Sequence, residues 1–466
     1  MLRRYLILAF LLLGISPLAY TAPDTLRVDF IHSGNRDMEM FSLEQVVRES
    51  LPWPGNMHRP IDKTLRGKYV FEIYDAKSNE LKYSRSFSSI YGEWETTAES
   101  RSMNRSFHES VRLPAPESPF QLVLKKRDAA NQFAEIWRIT IDPNDMLVHR
   151  ESAPYRSQVI PIEVNGPSPD KVDLLILGDG YTASEHARFV ERARSLAAVL
   201  FATSPFLERR EDFNVWALAP AAAESGVSRP STGIHRDSPL GTTYDAFRSE
   251  RYVLTFDNKK WRRVASSAPY EFVEIITNTE TYGGGGIYGL FSTAAADNEW
   301  RDYLFIHEFG HHFGGLADEY YTSDVAYEPE TDPIEPYEPN VTVLADPENV
   351  KWKALVTPGT PLPTPWPKEA YDAYARDYQA RRTAIRERNG PESEMNALFD
   401  EARDFNAQLF STAPYSSAVG AFEGAGYAAE GKYRPTQQCL MFDRSMAFCP
   451  VCSAALHEVI DEYSRP

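Results

Sequence analysis

The chain has 466 residues, 42% of them hydrophobic and 25% charged, which places it among ordinary globular proteins long enough for more than one domain. A formal net charge of -17 argues against a nucleic-acid partner, because phosphate binding draws on clustered Lys and Arg that release counterions.

The first residues depart from that acidic, soluble picture. Arg3 and Arg4 precede an uncharged apolar run over residues 5–19, and Ala19 and Ala22 offer small residues for cleavage, the pattern of a secretory signal peptide over residues 1–22. The run falls short of the roughly 20 apolar residues that a membrane helix needs. A membrane is therefore expected only during export, and the mature protein in the periplasm or outside the cell.

Residues 23–159 read mainly as short strands: "GKYVFEIYDA" (67–76), "LKYSRSFSSIYGEW" (81–94), "FQLVLKKRDA" (120–129) and "FAEIWRITID" (133–142). Each alternates apolar with polar residues and is bounded by Gly, Asn, Asp or Pro, so a small antiparallel β-sandwich with an accessory, non-catalytic role is expected. Its aromatics are expected in the core rather than on a glycan- or peptide-binding face. Residues 153–173 carry four prolines and a glycine, the composition of a domain connection, which puts the boundary near Ile160.

The second domain, residues 160–466, opens with a buried apolar strand (172–177), a helix starting near Ser184 or Glu185, and a strand in "DFNVWALAP". That order predicts an α/β domain with a mixed, partly parallel sheet. Farther on, two apolar strand-like runs flank Gly283, Gly284, Gly285 and Gly286, which read as a mobile loop. Residues 368–410 are charged and helical, divided by Gly390 and Pro391, and read as a helical insertion.

The chemistry concentrates in "FIHEFGHHFGGLADEYY", residues 305–321. His307 and His311 stand four residues apart, one helical turn along a single face, so both imidazoles can reach one metal ion. Glu308, beside the first histidine, can reach a water on that metal and take its proton. Two histidines are too few for a catalytic zinc, which takes three protein ligands and keeps one position open. Gly314 and Gly315 allow the helix to stop and the chain to turn back, bringing Asp318, or its neighbour Glu319, under the metal. His312 points to another side of the helix and is assigned a supporting role. Glu328, Glu330, Glu335 and Glu338 lie in a proline-rich segment that cannot present a ligand from a regular helix. Calcium is conceivable from the downstream carboxylates, but nothing specific supports it. Cys439, Cys449 and Cys452 cluster near the C-terminus, where an exported protein is expected to form a disulfide of undefined pairing. A structural zinc site there lacks a fourth ligand, with only distant His457 to supply one.

These residues resemble the immunoglobulin A peptidase family of metzincin-like zinc metallopeptidases. The resemblance rests on "HEFGHHFGGLADEY", on "GYTASE" upstream, "PNVT" at residues 339–342, "YRPTQQCLMFDRSMAFCPVC" near the end, and "YSRSFSSIYGEWETT" in the N-terminal part. It implies zinc held by His307, His311 and Asp318, with Glu308 as general base. It also implies a metzincin-like fold and a Met-turn at Met441, although Met446 is a competitor. Metzincins proper carry HExxHxxGxxH, whose last ligand would fall on Ala317; here the register is one residue longer. The tyrosine that relatives place two residues after the methionine is Asp443 here, leaving Tyr320 and Arg444 as candidates for holding the oxyanion. Ile287, Tyr288, Gly289 and Leu290, just before the zinc helix, are expected to form an edge strand that a protein or peptide substrate joins.

The expectation is thus an exported zinc endopeptidase working through a metal-activated water. A zinc hydrolase of cell-wall or glycan material and an inactive zinc-containing surface binding protein are the alternatives.

Overall fold

The computed structural model of the chain describes residues 22–323, 326 and 334–465. The signal-peptide segment up to residue 21 lies outside the described residues, as do Glu328 and Glu330.

Residues 24–150 fold as eight strands and a short helix: β1 (Asp24–Asn35), β2 (Met38–Pro52), β3 (Tyr69–Asp75), β4 (Leu81–Phe87), α1 (Ile90–Trp94), β5 (Arg105–Pro114), β6 (Phe120–Arg127), β7 (Phe133–Ile141) and β8 (His149–Arg150). They form two four-stranded sheets, β5-β1-β2-β8 and β4-β3-β6-β7, antiparallel except for the β2–β8 pair. Leu26, Val28 and Phe30 of one sheet meet Phe71, Ile73, Leu122 and Leu124 of the other in a single buried core. The aromatics Tyr69, Phe71, Tyr83 and Phe120 are buried. The stretch 81–94, expected as one strand, is β4 followed by α1. Ser89 ends the extended run by accepting a hydrogen bond from the Gly92 N–H at 3.0 Å, an N-cap that starts the helix.

The remaining elements are β9 (Ile160–Glu163), β10 (Val172–Asp179), α2 (His186–Leu200), β11 (Phe213–Leu218), β12 (Thr242–Thr243), β13 (Leu254–Thr255), α3 (Asn258–Ala265), β14 (Phe272–Thr277), β15 (Gly284–Ile287), β16 (Phe291–Ala295), α4 (Arg301–Gly314), α5 (Lys368–Glu387), α6 (Glu392–Ser411), β17 (Phe422–Ala425), β18 (Ala428–Arg434) and α7 (Pro450–Tyr463). Their main sheet has the order β15-β16-β14-β10-β11-β9, with the four inner strands parallel and both outer strands antiparallel. All eight residues of β10 are buried, as its apolar run over residues 174–177 requires when both faces of a sheet are covered. Leu174 and Ile176 join the core that contains α2 and α4, while Leu175 and Leu177 join the one containing α3 and Tyr91 and Trp94 of α1. The chain is thus a mixed α+β protein whose N-terminal part helps to cover the main sheet. No helix among the described residues is long and apolar enough to cross a membrane.

The glycine run is not a mobile loop. Gly284, Gly285 and Gly286 lie in β15, with α4 directly on Gly284 and Gly286 and the Tyr252 ring against Gly285. A Cβ on Gly286 would stand 2.3 Å from the Glu308 carbonyl oxygen and 2.8 Å from the His311 Cβ. The glycines are required by this close approach of helix to sheet edge, not by a need to flex.

Candidate active site

Helix α4 carries His307, Glu308 and His311 on the face turned toward the end of the chain. It stops where the double glycine predicts. Gly315 takes a left-handed φ of 60° and its N–H bonds the His311 carbonyl at 3.0 Å, the αL type of helix ending, while the Leu316 N–H reaches back to the Gly310 carbonyl at 3.3 Å. Arg66, from the N-terminal part, donates to the Gly314 carbonyl at 2.8 Å and so satisfies one of the orphan acceptors at the helix end.

The turn places Asp318 against both histidines. Its Oδ1 is 3.0 Å from His307 Nε2 and 3.2 Å from His311 Nε2, and the two Nε2 atoms are 3.2 Å apart. The opposite ring nitrogens are committed: His307 Nδ1 donates to the Leu440 carbonyl at 3.1 Å, and His311 Nδ1 to the Leu316 carbonyl at 2.6 Å. Carbonyls only accept, so both Nε2 lone pairs converge on the Asp318 carboxylate, an arrangement that is repulsive unless a cation sits among them. The edges of a tetrahedron drawn around zinc with nitrogen or oxygen ligands are about 3.3 Å; the donor spacings fit that group closely. The electrostatics agree. Burial opposes charge on His311, yet Asp318 and Glu308 outweigh it and push the ring's pKa up to about 9, so the site attracts positive charge.

Several residues brace this arrangement. Tyr427 donates its hydroxyl to Asp318 Oδ2. Asn340, fully buried in the "PNVT" segment, clamps the ligand turn by accepting from the Ala317 N–H at 2.8 Å and donating to the Ala317 carbonyl at 2.9 Å. Met441 is fully buried beneath α4: a Cβ on Gly310 would meet its Sδ at 2.9 Å, and its carbonyl accepts from the Glu319 N–H at 2.8 Å. Met446, the competitor, is 42% exposed and is not at the site. His312 is buried and structural. Its Nδ1 donates to the Ile287 carbonyl at 3.0 Å, its Nε2 accepts from the Val273 N–H at 3.1 Å, and burial pushes its pKa down to about 3.

Glu308 is nearly buried beside the two histidines. Burial raises its pKa, and the adjacent imidazoles pull it back. It faces a cleft walled by Tyr371, Tyr374 and Tyr378 of α5 and by Arg251 and Tyr320. Arg251 donates to the Tyr320 hydroxyl at 3.3 Å, so the phenol is held at the mouth of the site. Arg444 also lines the cleft, but its guanidinium lies 3.8 Å over the Phe399 ring. Asp443 is a buried cleft residue whose proton affinity is raised by burial, and it fills no tyrosine role.

Two expectations need correction. Ile287 belongs to the edge strand, but Tyr288, Gly289 and Leu290 form the turn after it. That turn is covered: the Tyr288 carbonyl accepts from the Ser88 N–H at 2.8 Å, and a Cβ on Gly289 would lie 3.3 Å from Phe87 Cβ. The N-terminal part therefore occupies the place expected for substrate. The three cysteines are free thiols rather than a disulfide with a spare: Cys439 Sγ and Cys452 Sγ are 3.7 Å apart, beyond the roughly 2.05 Å of a bond.

Arg251, Asn340 and Tyr427 were not singled out from sequence. Only the "PNVT" motif pointed toward one of them.

Residues 160–460 match the model for IgA Peptidase M64, and residues 18–138 match the one described as Peptidase M64 N-terminus. The chain belongs to the IgA Peptidase M64 family. A member of this metallopeptidase family acts on protein or peptide, and the two matches give the chain the family's two-part architecture. No curated protein matches the chain.

Proposed function

We propose that this M64 peptidase is an exported zinc endopeptidase in which His307, His311 and Asp318 hold the metal and Glu308 is the general base. The observation that carries the proposal is the convergence of two Nε2 lone pairs and one carboxylate oxygen within 3.2 Å of one another, beside a buried glutamate in a cleft. When bound, zinc supplies Lewis-acid polarisation of the scissile carbonyl and a water whose pKa is lowered to about 7.

The chain's own residues supply the rest. The Glu308 carboxylate, its proton affinity raised by burial, accepts a proton from the attacking water and delivers it to the leaving amine. The Tyr320 hydroxyl, oriented by Arg251, donates a hydrogen bond to the oxygen on which charge develops. An extended peptide pairs with β15. In the β15–β16 register, Gly284 and Gly286 turn their backbone groups outward. Those of Gly284 are taken by the Arg251 carbonyl and the Val253 N–H, both at 3.1 Å, which leaves Gly286, above His311, as the position for substrate. Docking at a strand edge holds an internal stretch of peptide, as an endopeptidase requires. The apolar run at residues 5–19 with its flanking arginines supports export.

The test compares wild type with Glu308→Gln for zinc content and for hydrolysis of a casein-type substrate. Equal zinc with hydrolysis reduced about 10²–10⁴-fold is expected from loss of a general base. Unchanged hydrolysis by Glu308→Gln would remove Glu308 from that role.

A further inference from the structure

A second cluster of metal-ligating side chains lies next to the first and takes no part in the reaction. Glu319, Cys439, Cys449 and Cys452 are all buried, and one potential ligand atom from each lies within 4.8 Å of all the others. From this geometry we propose that the four residues form a closed structural zinc site of three thiolates and one carboxylate.

Four arguments support it. First, the spacings match: tetrahedral zinc with Zn–S bonds of about 2.3 Å separates its sulfurs by about 3.8 Å, and Cys439 Sγ and Cys452 Sγ are 3.7 Å apart, with Cys452 Sγ 3.2 Å from Glu319 Oε1. Second, the Glu319 side chain is fully buried, and its Oε2 has no hydrogen-bond partner. Its Oε1 accepts from Asn340 Nδ2 at 3.0 Å besides facing Cys452, and a buried carboxylate left with one oxygen unpartnered is costly unless a cation satisfies it. Third, the sulfurs accept backbone hydrogen bonds that favour thiolates: the Cys449 N–H donates to Cys439 Sγ at 3.3 Å, and the Cys452 N–H to Cys449 Sγ at 3.4 Å, where Cys449 caps the start of α7. Fourth, the donor set is chemically selective. Thiolates favour zinc over calcium or magnesium, and four protein donors leave no open position for catalysis. Zinc binding displaces the three thiol protons to solvent.

The fourth ligand was invisible from the cysteine spacing because Glu319 lies 120 residues before Cys439. His457, the nearest histidine in sequence, instead faces Arg209 Nη1 at 3.4 Å. The site also has a structural consequence. Glu319 follows the catalytic ligand Asp318, and Cys439 stands two residues before Met441, whose carbonyl bonds the Glu319 N–H. Zinc here ties the ligand turn, the segment under α4 and the start of α7 into one unit.

The test uses the full mature chain purified without chelator, alongside His307→Ala/His311→Ala and Cys449→Ser/Cys452→Ser. Wild type should hold two zinc ions per chain. The histidine variant should hold one, and its cobalt(II) form should show the intense near-ultraviolet charge-transfer bands of thiolate ligation. The cysteine variant should lose those bands. If the cysteine variant does not fold, the histidine variant alone decides the matter. A histidine variant with no metal, and with either three thiols freely titratable in the native chain or a mass two hydrogens lower from a disulfide, would overturn the proposal while leaving the catalytic site intact. A wild type holding one zinc ion, with the histidine variant also holding one on sulfur, would instead overturn the catalytic assignment and uphold this one.

Discussion

Replacing Gly286 with alanine should damage the catalytic helix rather than merely stiffen a loop. The added Cβ would stand 2.3 Å from the Glu308 carbonyl oxygen and 2.8 Å from the His311 Cβ, against 3.4 Å for an ordinary contact, so α4 must move by about 1 Å at this point. Both obstacles are part of the helix or fixed to it, and neither can rotate away. Overpacking of this kind costs about 1–3 kcal/mol, and the upper half of that range applies where backbone blocks relaxation. For a domain of about 300 residues, with an unfolding entropy of about 0.6 kcal/mol/K, the loss corresponds to a fall in Tm of about 3–5 °C. A shift of about 1 Å in a catalytic group costs on the order of 10²-fold in rate, and because His311 moves as well, zinc retention should fall with turnover. Gly285→Ala is the companion variant, since its Cβ would meet the Tyr252 ring at 2.4 Å, a side chain able to swing aside, so its effect should be smaller. Thermal unfolding, zinc content and casein hydrolysis of the two variants provide the assay. Wild-type Tm, zinc and turnover in Gly286→Ala would refute the packing argument. Lost turnover with normal Tm and zinc would favour a flexible substrate loop instead.

Tyr427→Phe removes the hydroxyl that orients Asp318, and zinc affinity should fall about 10–100-fold, as measured by competition with a chromogenic chelator. Tyr320→Phe should lower kcat about 10²–10³-fold with little change in KM or zinc content, because the hydroxyl is proposed to act only on the developing charge. In the N-terminal part, His32 bonds Glu109 at 2.9 Å and Glu39 at 3.0 Å; burial opposes its charge, but the two carboxylates prevail and raise its pKa. A raised folded-state pKa makes the imidazolium's contribution to stability complete below about pH 6.5 and lost as pH rises through the folded value. The stability gap between wild type and His32→Gln in urea should therefore narrow with increasing pH; a gap that widens would contradict the assignment.

The helix that carries His307 and His311 was legible because an i, i+4 pair carries its own geometry, and because two glycines in succession predict where a helix can end. The placement of Asp318 beside the two histidines followed from that turn. Arg251, Asn340 and Tyr427 were not legible, since each reaches the site from a loop with no periodic pattern, 23 to 109 residues from the residue it serves. The glycine run was misread for a related reason. Composition reports that glycine tolerates many conformations, whereas here its role is the missing Cβ, a fact of tertiary approach. The cysteines show the same limit, because local spacing offered a disulfide and gave no hint of a carboxylate arriving from the far side of the chain. The strands at 67–76, 120–129 and 133–142 were readable from alternation, but the stretch at 81–94 broke at a serine cap.

The most direct test of the central claim is anomalous X-ray scattering at the zinc edge from crystals of the purified mature chain. The account predicts a peak about 2.0–2.2 Å from His307 Nε2, His311 Nε2 and an Asp318 carboxylate oxygen, with Glu308 beside it. Zinc absent from that position in a protein that still hydrolyses casein would contradict the account.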